Sequence, residues 1–461
     1  GGRYFREAFR AHRIAAMSDG TTDSTPPSET LEAGAIVDLL GNPLPPAFYH
    51  SARHRTLEEE LGSTPRPVLI THADRGGRTT DTAQQLASRL EERGFDVAFE
   101  LDPVVDSFWL VGGEYRPVED APETAAQLRR VGKWMEEHVP AGPMVDVPPA
   151  DRMGVPPPAG AGRPVFIPAG EETLFGMLST PESTDIGAIV LQFGNSTMST
   201  HRNRLWNTVG DALTAEGVAT LRFDYHGVGC SSGSATEFRT DRPFVDDLAA
   251  AAGWMAARGY RRLLLFGECY GARTAMAYAP SVAGLAGMFL VAPGLRDHLQ
   301  PAMRAGSWAK DYGLKSYLRK AFSPSTLRSL GNKQARRAYR RIAAAKVSYV
   351  ARRFRRRAPE RTTDLSWVSS AFVDQLRALV ARRVPIHFVY GTADGHNDVR
   401  AAMKGELGKV AAAAGDLFEL TVKEGKIHGG GTRLDVQDEI AGMVLEWTRH
   451  TLANTVPGRS G

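Results

Sequence analysis

The sequence predicts an α/β protein built on a mostly parallel sheet covered by helices on both faces, and three observations predict it. Short apolar runs alternate with helical patterns from Pro164 to His450. Several of these runs are apolar along their whole length, as strands buried on both faces are. The third is the stretch "LLLFGECYGARTAMAYA", Leu263 to Ala279, in which a strand meets Gly-x-Cys-x-Gly and turns at once into a helix.

Taken in order, residues 17 to about 50 are rich in Ser, Thr, Pro and acids, so residues 1–50 read as a flexible N-terminal tail. Met17 is a candidate start, with residues 1–16 an extension before it. Residues 51–140 read as a partial α/β unit. It has a strand "PVLITHAD", a helix from Thr80 to Glu92, a strand "FDVAFEL" and an amphipathic helix from Ala121 to His138. A stiff Pro-rich linker over 141–163 follows.

Residues 164–456 form the main unit. "PVFIPA" and "LFGMLSTP" predict a β-hairpin. Then come the strand "AIVLQFG", a helix from Asn203 to Glu216, the strand "ATLRFDY" and a helix from Asp241 to Arg258. The Leu263–Ala279 strand and helix are followed by the strand "GMFLVAP". A helical basic insertion over 295–383 separates it from the strand "PIHFVYG". The chain closes with a helix, the strand "LFELTVKEG", a loop containing His428 and a helix from Leu434 to His450.

The partial unit matches the end of the main one in element order. "PVLITHAD" precedes "FDVAFEL" as "PIHFVYGTAD" precedes "LFELTVKEG", with Asp74 in the place of Asp394. Residues 51–140 thus read as a truncated copy of that last third, the alternative being a free-standing pair of βα units. Half a sheet buries its faces poorly, so the unit is expected to pack on the main domain or on a second subunit.

At 461 residues the chain is long enough for one large domain or two ordinary ones. It has two cysteines, Cys230 and Cys269, too few for a disulfide framework. No apolar run reaches membrane-spanning length and no secretory signal is recognisable, so the expected location is the cytoplasm and no membrane is expected as a partner. Net charge is +4 but unevenly spread. From Arg296 to Arg383 there are 22 Lys and Arg against 5 acids, which is 22 − 5 = +17 and leaves 4 − 17 = −13 elsewhere. Such a segment suits an acidic partner. Nucleic acid is not expected, because no base-reading or stacking motif accompanies the charge.

Over residues 164–452 the chain resembles the α/β-hydrolase superfamily. Three motifs fall in that family's order of nucleophile, acid and histidine. Gly267-Glu268-Cys269-Tyr270-Gly271 matches the nucleophile elbow, with cysteine where serine is usual. Asp394 follows "PIHFVYG", where the family places its acid, and His428 lies in "EGKIHGGG", where it places its histidine. "LRFDYHGVGCSSG" is similar to the family's loop after the fourth strand, with His226 in place of the usual Arg. "LQFGNSTMST" is similar to the oxyanion-hole loop, and the resemblance implies backbone donors at Asn195 (or Ser196) and Tyr270. Asp398 is the fallback acid. Cys230 reads as a loop residue, Asp224 as a brace of its own loop, and His201, Arg202, Arg204 and His226 as candidate contacts to substrate or partner.

The resemblance implies an α/β-hydrolase fold and an enzyme that needs no cofactor and no metal. A thiol at a helix N-terminus facing an imidazole is expected to have its pKa lowered. His428 would handle the proton and Asp394 would orient it. An enzyme thiolate is expelled in preference to an alcohol or amine, whereas with a thioester both leaving groups are alike. An acyl thioester, carrier- or CoA-bound, is therefore the expected donor, and water, an amine or a hydroxyl the acceptor. The insertion resembles the lid of acyl-releasing thioesterases and would dock an acidic acyl-carrier protein. Two alternatives stand beside this reading: an ester or lactone hydrolase of the dienelactone type, and a non-catalytic binding protein that kept the fold. Oligomerisation is open.

Overall fold

The computed structural model describes residues 4–6, 8–10, 12, 25–39, 42–73, 81–102, 122–139, 162–191, 199–200, 204–233, 240–297, 365, 367–425, 427 and 433–454. Residues 298–364 of the basic insertion and most of the Pro-rich linker lie outside them.

The stretch expected as a tail carries structure, helical at residues 4–6, 8–10 and 12 and with further elements from residue 25. A helix α1 (Pro27–Glu32), a short hairpin of β1 (Val37–Asp38) and β2 (Pro43–Leu44), and a helix α2 (Pro46–Ala52) enclose a small apolar cluster. Leu31, Val37, Leu44 and Tyr49 form it together with Phe5 and Phe9. Both helices begin at proline, whose fixed φ suits the first helical position and whose missing N–H costs nothing there. The compositional signal for a tail was its Ser, Thr, Pro and acidic residues, and two of those prolines here start helices.

A one-turn helix α3 (Leu57–Glu60) opens on a capping box between Thr56 and Glu59. The partial unit then runs β3 (Pro67–Ala73), α4 (Asp81–Glu92), β4 (Asp96–Asp102) and α5 (Pro122–His138). Its two strands pair in parallel, Pro67 opposite Asp96 through Ala73 opposite Asp102, in a sheet of their own. Arg93 on the turn after α4 donates to the carbonyls of Glu58 and Gly62, both at 2.6 Å, and so ties α4 to α3.

The main unit runs β5 (Arg163–Ala169), β6 (Glu172–Ser179), β7 (Ile186–Leu191), α6 (Leu205–Ala215), β8 (Ala219–Phe223), α7 (Val245–Ala256), β9 (Arg262–Glu268), α8 (Tyr270–Tyr278) and β10 (Leu285–Val291). The end of the insertion forms α9 (Ser370–Ala381), and after it come β11 (Ile386–Gly391), α10 (His396–Ala402), α11 (Glu406–Ala414), β12 (Phe418–Lys423) and α12 (Leu434–Asn454). One sheet of eight strands results, in the order β12-β11-β10-β9-β7-β8-β6-β5. The predicted hairpin β5–β6 is antiparallel, as is β6–β8, and every other pairing is parallel. This is the α/β-hydrolase fold.

Strand alternation divides the core in two. Leu263 and Leu265 face a cluster with α7, α8 and α9, while Leu264 and Phe266 face a second cluster with α6 and α12. Burial on both faces explains the unbroken apolar runs read from the sequence. The chain moves from β7 outward to β8, then returns to place β9 on the other side of β7. The C-terminal ends of the strands at this reversal are where open α/β sheets hold their sites. Among the described residues no helix is long and apolar enough to cross a membrane.

Candidate active site

Cys269 sits at this reversal, between the end of β9 and the first residue of α8. Its backbone has φ 50° and ψ −108°, a conformation that L residues other than glycine adopt rarely. The surroundings enforce it. Cys269 N donates to Val291 O at 2.9 Å, pinning the turn to β10, and Arg273 N donates to Cys269 O at 3.0 Å as the helix begins. Gly267 has to be glycine: a Cβ there would stand 2.8 Å from Ala272 N and 2.8 Å from Gly271 C, both backbone. The sharp turn predicted from the motif is present, and the lifted residue is cysteine.

The thiol departs from expectation. Part of Cys269 remains accessible. Burial around its thiol, followed by the charge of the Glu268 carboxylate, nevertheless pushes the thiol up to about 12, although the Tyr270 N–H acts to lower it. Glu268 is 0% exposed, so its charge is poorly screened. The helix N-terminus does not overcome these two effects, which favour the protonated form of the thiol.

Asp394 lies in the turn after β11, where its N–H donates to Gly391 O at 2.9 Å. Its carboxylate accepts from the N–H of Ile427. The turn and the loop after β12 are laced together. Thr392 N donates to Lys423 O at 2.8 Å, Ala393 N to Gly425 O at 2.9 Å and Gly425 N to Thr392 Oγ1 at 2.8 Å. Gly391 permits the crossing, since a Cβ there would lie 2.6 Å from Gly425 O. Asp394 is thus held one residue before His428, which itself lies outside the described residues. Asp398, the fallback, is on α10 and pairs with Arg296 at 3.3 Å.

Asp224 is 1% exposed and accepts from Ser199 N at 2.5 Å and from Cys230 N at 3.1 Å. It braces its own loop as expected and also holds the segment after β7. Asn195, Ser196, His201 and Arg202 lie outside the described residues. Arg204 is exposed, with φ 59°, at the start of α6. His226 is held by buried Asp247, through Nδ1 at 2.9 Å and through its N–H at 2.8 Å, and it lies 4.3 Å from Phe244 ring to ring. That carboxylate raises the His226 pKa against the effect of burial. Tyr270 offers its backbone N–H at the elbow while its ring packs against Tyr225 and Phe244.

Arg273 is a residue the motif did not single out. One turn beyond Cys269 and 3% exposed, it donates from Nε to Thr240 O at 3.0 Å. Its Nη2 reaches Asp297 Oδ1 at 2.7 Å and Ser369 Oγ at 2.9 Å. Asp297 and Ser369 lie towards the two ends of the basic insertion, so one buried cation joins both of them to the nucleophile helix. The visible signal was an arginine on a helix otherwise built of small and apolar residues. Among the described residues there is no cluster of metal-ligating side chains.

A family model described as serine aminopeptidase, S33, matches residues 195–429, just over half the chain. Among solved structures the chain is similar to an esterase from Pyrococcus furiosus, 16% identical over 63% of this chain and 92% of that one, with TM-score 0.42. A serine hydrolase without a lid from Xanthomonas campestris is 17% identical over 65% of this chain and 96% of that one, with TM-score 0.36. A proline iminopeptidase from Mycobacterium smegmatis is 16% identical over 63% of this chain and 100% of that one, with TM-score 0.37. No curated protein matches the chain.

Proposed function

This chain belongs to the serine aminopeptidase S33 family of α/β hydrolases, and from that premise we propose that it is an enzyme that forms an acyl-S-enzyme at Cys269 from an acyl thioester. The observation that carries the proposal is an elbow built to the family's geometry with sulfur in place of oxygen at the lifted position. A carbonyl attacked by Sγ returns the better leaving group. With an oxyester that group is the enzyme's own sulfur, whereas a thioester offers a second sulfur and lets acylation proceed.

Burial and the neighbouring Glu268 favour the protonated thiol, so in this reading proton removal accompanies attack. His428 takes the Sγ proton as Sγ bonds to the carbonyl carbon, and Asp394 stabilises the imidazolium. The oxyanion is received by the N–H groups of Tyr270 and Asn195, each worth about 3–4 kcal/mol in such sites. Collapse breaks the bond to the donor sulfur, which leaves with the imidazolium proton. Water, an amine or a hydroxyl then attacks the acyl-S-enzyme and regenerates the thiol. The basic insertion, with its +17 balance, would dock an acidic carrier protein or the phosphates of coenzyme A.

The test compares a thioester and an oxyester of one acyl group. The proposal predicts that kcat/KM for the thioester exceeds that for the oxyester and that Cys269→Ser reverses the order. Equal or greater oxyester turnover by the wild type would instead assign ester or lactone hydrolysis.

A further inference from the structure

The partial unit presents an open helix face. Its sheet holds only β3 and β4, and a two-stranded sheet is marginal without a further covering surface. On α5, Leu128 and Met135 are each more than half exposed, and so is Val139 just past its end. Val139 N donates to Met135 O at 2.8 Å, so the helical turn runs through it. With Gly132 these residues recur at steps of four, three and four, which sets them on one stripe of the helix. A Cβ built on Gly132 meets nothing within 4 Å, so the stripe has a notch in its middle. Gln127, Val131, Trp134 and His138, on the neighbouring face, are half-buried, and the stripe is distinct from that inward side.

The stripe is complementary to itself when two copies run antiparallel. With a twofold axis between Lys133 and Trp134, Leu128 stands opposite Val139 of the second copy, and Met135 opposite Gly132 of the second copy. The long thioether fills the notch at both crossings, as knobs fill holes in paired helices. Arg129 and Glu136, one position after Leu128 and Met135, are exposed on the outer flank of the stripe. Antiparallel pairing sets each Arg129 against the other copy's Glu136. A parallel pair would instead place glycine on glycine and methionine on methionine. We propose that this face of α5 is a self-association surface, whose partner is a second copy of the chain bound antiparallel through Leu128, Gly132, Met135 and Val139. The seam is short, so the association is reversible and depends on concentration. It stands apart from the acyl chemistry assigned to Cys269.

Sedimentation velocity of the full chain over about 1–100 μM tests it, with Met135→Glu, Arg129→Glu, Glu136→Arg and the double charge reversal. The changed side chains are exposed, and surface substitutions of this kind leave stability near wild type. The wild type should move from monomer towards dimer as concentration rises. Met135→Glu should weaken the dimer at least about tenfold, since the twofold removes two apolar side chains from the seam. Each single reversal opposes like charges at both crossings and should weaken it about 2- to 20-fold, whereas the double reversal should restore wild-type affinity. A wild type that stays monomeric overturns the proposal, and slow oxidation of Met135 by peroxide would then show that its own chain covers the stripe. A dimer indifferent to Met135→Glu lies on another face and also overturns it. Dimerisation that Met135→Glu abolishes and the double reversal does not rescue overturns the antiparallel arrangement.

Discussion

Cys269 and Glu268 are neighbours in the chain and opponents in electrostatics. A thiol held up to about 12 is less ionised at every ordinary pH than free cysteine, so iodoacetamide should alkylate Cys269 more slowly than free cysteine at pH 8. Its rate should still climb at pH 10. Glu268→Gln removes the charge that disfavours the thiolate, so the rate at pH 8 should rise at least severalfold. A wild-type plateau near pH 7 would reveal a preformed thiolate–imidazolium pair and contradict the protonated resting state. The two candidate acids separate as clearly. Asp394 grips Ile427 whereas Asp398 is engaged by Arg296. Asp394→Asn is expected to slow acylation by a factor on the order of 10⁴, the loss that a wrong imidazole tautomer brings. Asp398→Asn should stay within a few-fold. Single-turnover acylation rates for the two variants measure the difference.

Among the elements, α8 is the hub. It begins at the nucleophile, and one turn on it sends Arg273 into a buried site shared with Thr240, Asp297 and Ser369. Arg273→Met removes three hydrogen bonds but leaves Asp297, 39% exposed, able to rehydrate. The expected cost is therefore about 2–3 kcal/mol, below that of stranding a fully buried charge. Urea unfolding reads it, and a change under about 0.5 kcal/mol would show that Arg273 does not hold Asp297 and Ser369 to the nucleophile helix. Most strands and helices were legible in the sequence because their periods are set by burial: two-faced strands leave unbroken apolar runs and amphipathic helices leave a 3.6-residue stripe. The elbow was legible because its glycines answer to backbone crowding at fixed positions. Asp38 capping Leu434 was not legible, since a contact across 396 positions leaves no local pattern. The raised thiol was missed for a related reason: the helix terminus is visible in the motif, whereas burial of Glu268 depends on the whole sheet.

At the scale of the molecule, charge is separated along the chain, +17 over Arg296–Arg383 against −13 elsewhere. If the insertion docks an acidic carrier protein, raising ionic strength from 0.05 to 0.5 M should weaken that docking at least tenfold, as the Debye length contracts. Turnover of a small uncharged thioester should hardly change. Loss of both together would indicate a salt effect on the fold. Titration of carrier binding by fluorescence at several salt concentrations separates the two. The same scale holds the N-terminal segment, whose composition suggested a tail and whose residues 25–52 form helices, a hairpin and an apolar cluster.

The central claim is that sulfur at the elbow accepts an acyl group, and intact-mass spectrometry tests it most directly. Wild type and Cys269→Ala are exposed side by side to a panel of acyl thioesters. An added acyl mass on the wild type alone, with one thiol released per adduct, is the predicted result. No adduct and no released thiol with any donor, or the same adduct on Cys269→Ala, would contradict it.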